Sequence, residues 1–201
     1  MKIAVINEIS ACDKNADIME ALAGRGHEVL NAGMKTPGDL PALSYLHTGF
    51  LAGLLLNAGA ADFVVGGCGT GIGFVMSAMM YPNVYCGLIA EPLDAWLFNR
   101  INAGNCISLM LNKGWGWGGG INLGFIFDRL FSDGWGTGYP EHRKQAQLES
   151  RLKLEKISIA AHKPMEEIIA AMDPVIVRES LSFPGIGELL GPYCEKLKIV
   201  I

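Results

Sequence analysis

No run of basic residues occurs anywhere in this 201-residue chain. Its 16 Lys and Arg stand against 20 Asp and Glu, a net charge of −4. Nothing here would neutralise a row of phosphates, which argues against nucleic acid as a partner. Charge of either sign is scarce, at 18% of residues, while half the chain is hydrophobic. That balance excludes disorder and supplies a large buried core. A bilayer-spanning segment is also missing: the apolar run 50–56 is too short. The opening Met1-Lys2-Ile3-Ala4-Val5-Ile6-Asn7 has too short an apolar stretch for a signal peptide and reads as a strand. The expected setting is the cytoplasm, with no membrane partner. The five cysteines (Cys12, Cys68, Cys86, Cys106, Cys194) are odd in number and contain no Cys-x-x-Cys pair. Neither a disulfide framework nor a zinc site is suggested, and no metal is expected. Apart from Cys68 they read as free, mostly buried thiols.

What the chain does have is glycine, 26 residues with no collagen period and no repeat. Strand and helix patterns alternate along the first half. Residues 2–7, 27–31, 62–67, 84–90 and 106–110 read as strands, the third as a buried one from its continuous Phe63-Val64-Val65. Between them, helices are expected over 13–25, with Asp13 as cap and Gly26 as stop, and over 43–60, 71–80 and 91–101, the last with Pro92 in its first turn. Such alternation predicts βαβ units, a parallel sheet and a doubly wound α/β fold. After residue 111 come a loop rich in Trp and Gly (Trp115, Trp117, Gly118-Gly119-Gly120) and a helix over 121–131. Residues 140–172 are then mostly polar and helical, broken near Pro164, and 197–201 form an apolar tail. The expected division is an α/β domain over 1–139 and a helical extension over 140–201 that serves as an interface arm.

The chemistry concentrates in Gly66-Gly67-Cys68-Gly69-Thr70-Gly71-Ile72-Gly73, between the third strand and its helix. Its glycines do not follow the G-x-G-x-x-G spacing of a dinucleotide loop, and no Gly-Lys-Ser/Thr follows as a P-loop requires. Such a loop presents several backbone N–H groups at a helix start, a place for a phosphate or a developing oxyanion. The positive end of a helix also favours thiolate. A thiolate beside an oxyanion cradle suits removal of a proton next to a carbonyl. The same residues equally fit a tight strand-to-helix turn with an inert, buried cysteine. In a sheet of order 2-1-3-4-5 the crevice lies between strands one and three, which would set Glu8 beside Cys68.

Residues 62–105 resemble the sugar-phosphate isomerases of the ribose-5-phosphate isomerase B and galactose-6-phosphate isomerase family. Cys68-Gly69-Thr70-Gly71-Ile72-Gly73 carries the resemblance, with Glu91-Pro92, Asn102 and Asn105 at matching spacing. Arg25-Gly26-His27-Glu28-Val29 and Tyr45-Leu46-His47 also agree in pattern, so the likeness spans residues 2–110. It implies a flavodoxin-like sheet of five parallel strands, no cofactor, and homodimers or tetramers with sites at the subunit interface. It implies an aldose–ketose isomerase working through an enediolate on a sugar or sugar phosphate. Cys68 would move the proton between the two carbons and Thr70 would help open the sugar ring. The backbone of Gly69, Gly71 and Gly73 would cradle the enediolate, and Asn102 would bind a substrate oxygen. Members without that cysteine use a Glu just after the last loop glycine; here the position is Phe74.

The departures are as informative. Ile101 replaces the family's ring-opening His, and Glu8-Ile9 replaces its Asp-His. Glu8 keeps a carboxylate, while Ile9 loses a group that faces phosphate. Arg143, beside His142, stands for the phosphate-gripping cluster. These changes point to a substrate other than ribose 5-phosphate, one that is short or open-chain. His47 is a candidate for the missing acid–base group or a plain helix histidine. Glu91 is a candidate site residue or a first-turn acid favoured by the dipole, and Trp115 and Trp117 line a sugar pocket or fill an interface. A catalytically silent partner subunit on the same fold is the competing reading, and a lyase or epimerase using the same enediolate is a third.

Overall fold

The structure is a computed structural model that describes residues 1–132 and 134–197. Five parallel strands form one sheet: β1 (Lys2–Asn7), β2 (Glu28–Asn31), β3 (Phe63–Cys68), β4 (Cys86–Ile89) and β5 (Cys106–Met110). All six residues of the central β3 are buried, as its unbroken apolar run requires. Side chains alternate between the sheet's faces, so Ile3, Val5, Phe63 and Val65 enter one apolar cluster and Ala4, Ile6 and Val64 the other.

The strand order is β2-β1-β3-β5-β4, not the expected 2-1-3-4-5. Burial accounts for the exchange. β5 is enclosed through its first four residues, whereas β4 is half-covered and exposes Leu88, so the more apolar strand takes the inner place and β4 the edge. Helices α2 (Tyr45–Ala58) and α3 (Ile72–Ala78) cover one face; α1 (Asn15–Leu22), α4 (Pro92–Leu97) and α5 (Gly119–Leu130) cover the other. The crossovers that step towards β4 lie on the first face and those that step back lie on the second, as a constant crossover hand demands. Helix α1 begins later than the sequence suggests: Asp13 sits in a 3-10 turn, Cys12–Lys14, that precedes it.

Helix α2 shows no amphipathic stripe because both its sides are covered: Phe50, Leu51, Leu54 and Leu55 are all buried. The sheet lies beneath it, and α7 (Met165–Ala171), α8 (Pro174–Ser182), the residue Phe183 that follows it and α9 (Ile186–Leu190) add Met165, Phe183, Ile186 and Leu190 to the same cluster. Much of the extension therefore completes its own chain's core. Helix α6 (Lys144–Ala161) is different: Leu148, Leu152 and Ile159 lie exposed along one flank and Leu154 and Ile157 along another. Of the apolar tail, Leu197 is buried and the residues beyond it lie outside the described residues.

Candidate active site

Chains leaving β1 and β3 turn to opposite faces of the sheet, and the two loops meet where they part, the crevice position of a doubly wound fold. Cys68 closes β3 there, 7% exposed. Its Sγ lies 3.9 Å from Thr70 Oγ1. Thr70 Oγ1 accepts the Ile72 N–H (3.3 Å), which leaves the hydroxyl proton free to turn towards the sulfur.

The loop is held from all sides. Gly71 N–H donates to the Cys68 carbonyl (3.1 Å), and the Gly71 carbonyl accepts from Ser108 Oγ of β5 (2.6 Å). Gly71 has φ +76°, and a Cβ there would stand 2.5 Å from Leu88 Cδ1, so only glycine fits without strain. Gly73, the second residue of α3, lies under the ring of Tyr45, 3.1 Å from where its Cβ would lie. The amides of Thr70, Gly73 and Phe74 have no acceptor among the described residues. Open amides on a fixed loop beside a thiol make the cradle that an oxyanion needs.

Glu8 is 4% exposed, at the end of β1. Its Oε1 accepts from Ser10 Oγ, and Ser10 Oγ accepts the Gly69 N–H (3.0 Å). The expected partnership of Glu8 and the cysteine loop is thus made through one serine. Asn112, after β5, ties the pieces further: its Nδ2 donates to the Ser10 carbonyl (2.7 Å) and its N–H to the Gly69 carbonyl (3.0 Å). Lys113 N–H donates to that same carbonyl (2.9 Å). Ser10, Asn112 and Lys113 were not legible as site residues. The one signal was their position directly after two strands that end on the crevice edge.

Other candidates are placed elsewhere or otherwise engaged. His47 lies buried in the first turn of α2. Its Nδ1 accepts the Ser44 N–H (3.0 Å), so the proton of the neutral ring is on Nε2, which faces Glu179 Oε2 of α8 at 3.0 Å. Glu91 precedes α4, where Asp94 accepts its N–H (3.2 Å). Trp115 packs against the α1–α5 cluster under Lys14, while Trp117 is exposed. Burial pushes the thiols of Cys12 and Cys106 up, which keeps them protonated and inert.

Asn102 and Arg143 do not reach Cys68 within one chain. Helix α4 and the wider π-type turn Phe98–Asn102 run back from the end of β4 to the start of β5. Asn102 is therefore on the opposite edge of the sheet, at least a strand length from Cys68, on the order of 15 Å. Ala103 follows it with φ +45°, a strained conformation for a residue with a Cβ. The Arg143 segment joins this edge: Gly138 N–H donates to the Arg100 carbonyl (2.8 Å), Gly138 abuts Lys144, and Arg151 Nε donates to the Ala103 carbonyl (3.0 Å). Among the described residues no three His, Cys, Asp or Glu side chains gather to hold a metal.

A family model described as Ribose/Galactose Isomerase matches residues 3–121, more than half of the chain. The chain belongs to the ribose/galactose isomerase family. Two solved structures resemble it over 98% of its length and 96% of theirs. One is a ribose-5-phosphate isomerase from Vibrio parahaemolyticus (40% identity, TM-score 0.94). The other is a 4-deoxy-L-threo-5-hexosulose-uronate ketol-isomerase complexed with a tartrate (37% identity, TM-score 0.93). A ribose 5-phosphate isomerase from Thermotoga maritima (24% identity, TM-score 0.59) covers 74% of this chain and 97% of its own, and shares the fold. A comparison with curated proteins gives no match. Phe74, the residue after the last loop glycine, is fully buried with its ring against Gly66. Ile9 is 41% exposed.

Proposed function

We propose that this protein is an aldose–ketose isomerase in which Cys68 shuttles a proton between adjacent carbons through a cis-enediolate. One observation carries the reading: a thiol at the sheet's crevice with Thr70 beside it and three open amides on the same fixed loop. The thiolate takes the proton from C2 of the aldose, and the negative charge that grows on O1 falls to the amides. The proton is then returned at C1, giving the ketose. Buried Phe74 leaves Cys68 as the base of the loop.

The substrate these residues favour is open-chain and carries no phosphate. Ile101 supplies no acid or base to open a ring, and Ile9 supplies no donor to a phosphate. The uronate named for the 37%-identical structure has these properties. It carries a carbonyl at C5 and no hydroxyl at C4, so its aldehyde has no partner for ring closure, and its anion is a carboxylate. The 40%-identical structure is named for a sugar phosphate, which makes the phosphate the second substrate to test. Because Asn102 and Arg143 lie on the far edge from Cys68, the complete site takes Cys68 from one copy and Asn102 and Arg143 from another, in a homodimer or a multiple of it.

The test is solvent-deuterium exchange and conversion with the 4-deoxy-5-hexosulose uronate and with four- to six-carbon aldose and ketose phosphates. Wild type exchanges and converts one pair, and Cys68→Ser loses about 10²–10⁴-fold in kcat/KM. Exchange and conversion that survive Cys68→Ser, or neither of them with any sugar, overturn the reading.

A further inference from the structure

Isomerisation moves two protons, and Cys68 accounts for one. The carbon-bound proton travels by the thiol. The hydroxyl proton on O2 must also leave, and O1 must gain one, before C1 is protonated. Nothing in the cysteine loop is placed to take a proton from oxygen and pass it on: Thr70 Oγ1 accepts the Ile72 N–H and faces the Cys68 sulfur, with no carboxylate bonded to it among the described residues. At Ile101 the chain has no titratable group.

We infer that Ser10 and Glu8 form the relay that carries the hydroxyl proton. Ser10 Oγ is 3.0 Å from the amide of Gly69, the residue after Cys68, and so sits at the mouth of the enediolate cradle. It accepts that N–H and donates to Glu8 Oε1, which uses its proton and one of its two lone pairs. The second lone pair is open, on an exposed residue, and accepts from a substrate hydroxyl. Behind it Glu8 is a buried carboxylate at the end of β1, with the capacity to hold one proton. Asn112 fixes the geometry by holding the carbonyls of both Ser10 and Gly69.

The step balances without a co-reactant. As the O2–H bond breaks, its proton passes to Ser10 Oγ, and the serine proton passes to Glu8 Oε1. The reverse transfer then delivers a proton to O1, leaving serine and carboxylate as they began. Substrate and product are isomers, and nothing is oxidised or reduced overall. Ser10 touches the substrate; Glu8 acts through it.

This inference rests on the isomerase reading above, and one experiment separates the two. Deuterium wash-in at C2 needs the thiol and the cradle, whereas net conversion also needs the oxygen-to-oxygen transfer. Both are read by proton NMR in the same D2O sample, with the convertible sugar found for the wild type. Ser10→Ala is expected to lower conversion about 10²-fold while wash-in falls far less, so the ratio of exchange to conversion rises at least about tenfold. Ser10→Thr restores the ratio, and Glu8→Gln raises it as Ser10→Ala does. If Ser10→Ala lowers both rates together at a fixed ratio, or changes neither, the relay is overturned while the isomerase stands. If wild type shows neither wash-in nor conversion, or Cys68→Ser keeps both, the isomerase reading itself has failed.

Discussion

His27 gives the fold a pH dependence with a definite sign. Both its ring nitrogens are shut off from solvent with no partner among the described residues, and its ring meets Phe131 edge-on at 4.8 Å. Burial first, then the N-terminal ammonium and Arg25, depress its pKa, so the folded chain holds the neutral ring. Between that depressed value and the ordinary one near 6.5 the unfolded chain binds a proton that the folded chain refuses. Stability is therefore complete above about pH 6.5 and is lost as pH falls towards the folded value. Thermal unfolding followed from pH 8 to pH 5 should show Tm falling on the acid side, with a shallower fall in His27→Phe. Equal slopes in the two proteins would remove the assignment. The residue scale is also where the sequence was most and least legible. Cys68 and Thr70 announce themselves because the loop must be rich in glycine to turn as it does, and that composition is visible in one dimension. Ser10 has no such mark. Its role comes from a hydrogen bond to Gly69 across 59 positions of chain, which no local pattern encodes.

At the scale of elements, strand positions were readable because a buried parallel strand must be apolar along its whole length; 106–110 coincides with β5. Their order was not. Whether β4 or β5 lies next to β3 depends on relative burial, and Leu88 exposed against a covered Ile107 decides it only once the helices are in place. Helix α2 shows how an element can recast a candidate residue. Ser44 caps it, with its side chain accepting the Leu46 N–H (3.3 Å), and His47 returns the favour by accepting the Ser44 N–H. The other ring nitrogen reaches Glu179 and so pins α8 onto α2. These contacts occupy both nitrogens, which gives His47 work in folding whatever the site requires. His47→Ala should lower stability in urea by about 1–2 kcal/mol, the worth of a cap plus a hydrogen bond to a charged group. KM should stay within about twofold, since a change in ground-state binding would need a free nitrogen. A large rise in KM at unchanged stability would instead make His47 a substrate ligand.

For the whole molecule, the two edges of the sheet pose the decisive question. Cys68, Glu8 and Ser10 occupy the edge where the strands end; Asn102 and Arg143 occupy the edge where they begin. The motif containing Asn102 was legible in the sequence, but its distance from Cys68 was not, because it follows from the direction in which α4 crosses the sheet. One chain cannot close that gap by side-chain motion, since five residues of rigid strand separate the groups. Two copies related by a twofold axis can, provided their contact sets the far edge of each near the crevice of the other. The exposed aliphatic flanks of α6, beside the Asn102 edge through Arg151 and Ala103, offer the apolar surface that such a contact buries. Subunit mixing separates the two geometries. Cys68→Ser and Asn102→Ala proteins should each be nearly inactive. Mixed in equal amounts and allowed to exchange subunits, half the dimers are hybrids, and one of the two sites in each hybrid has both native residues. Activity should then recover to about a quarter of wild type. A site built within one chain has no such route back, and a mixture that stays at the level of its parents would show that Cys68 and Asn102 never serve the same substrate.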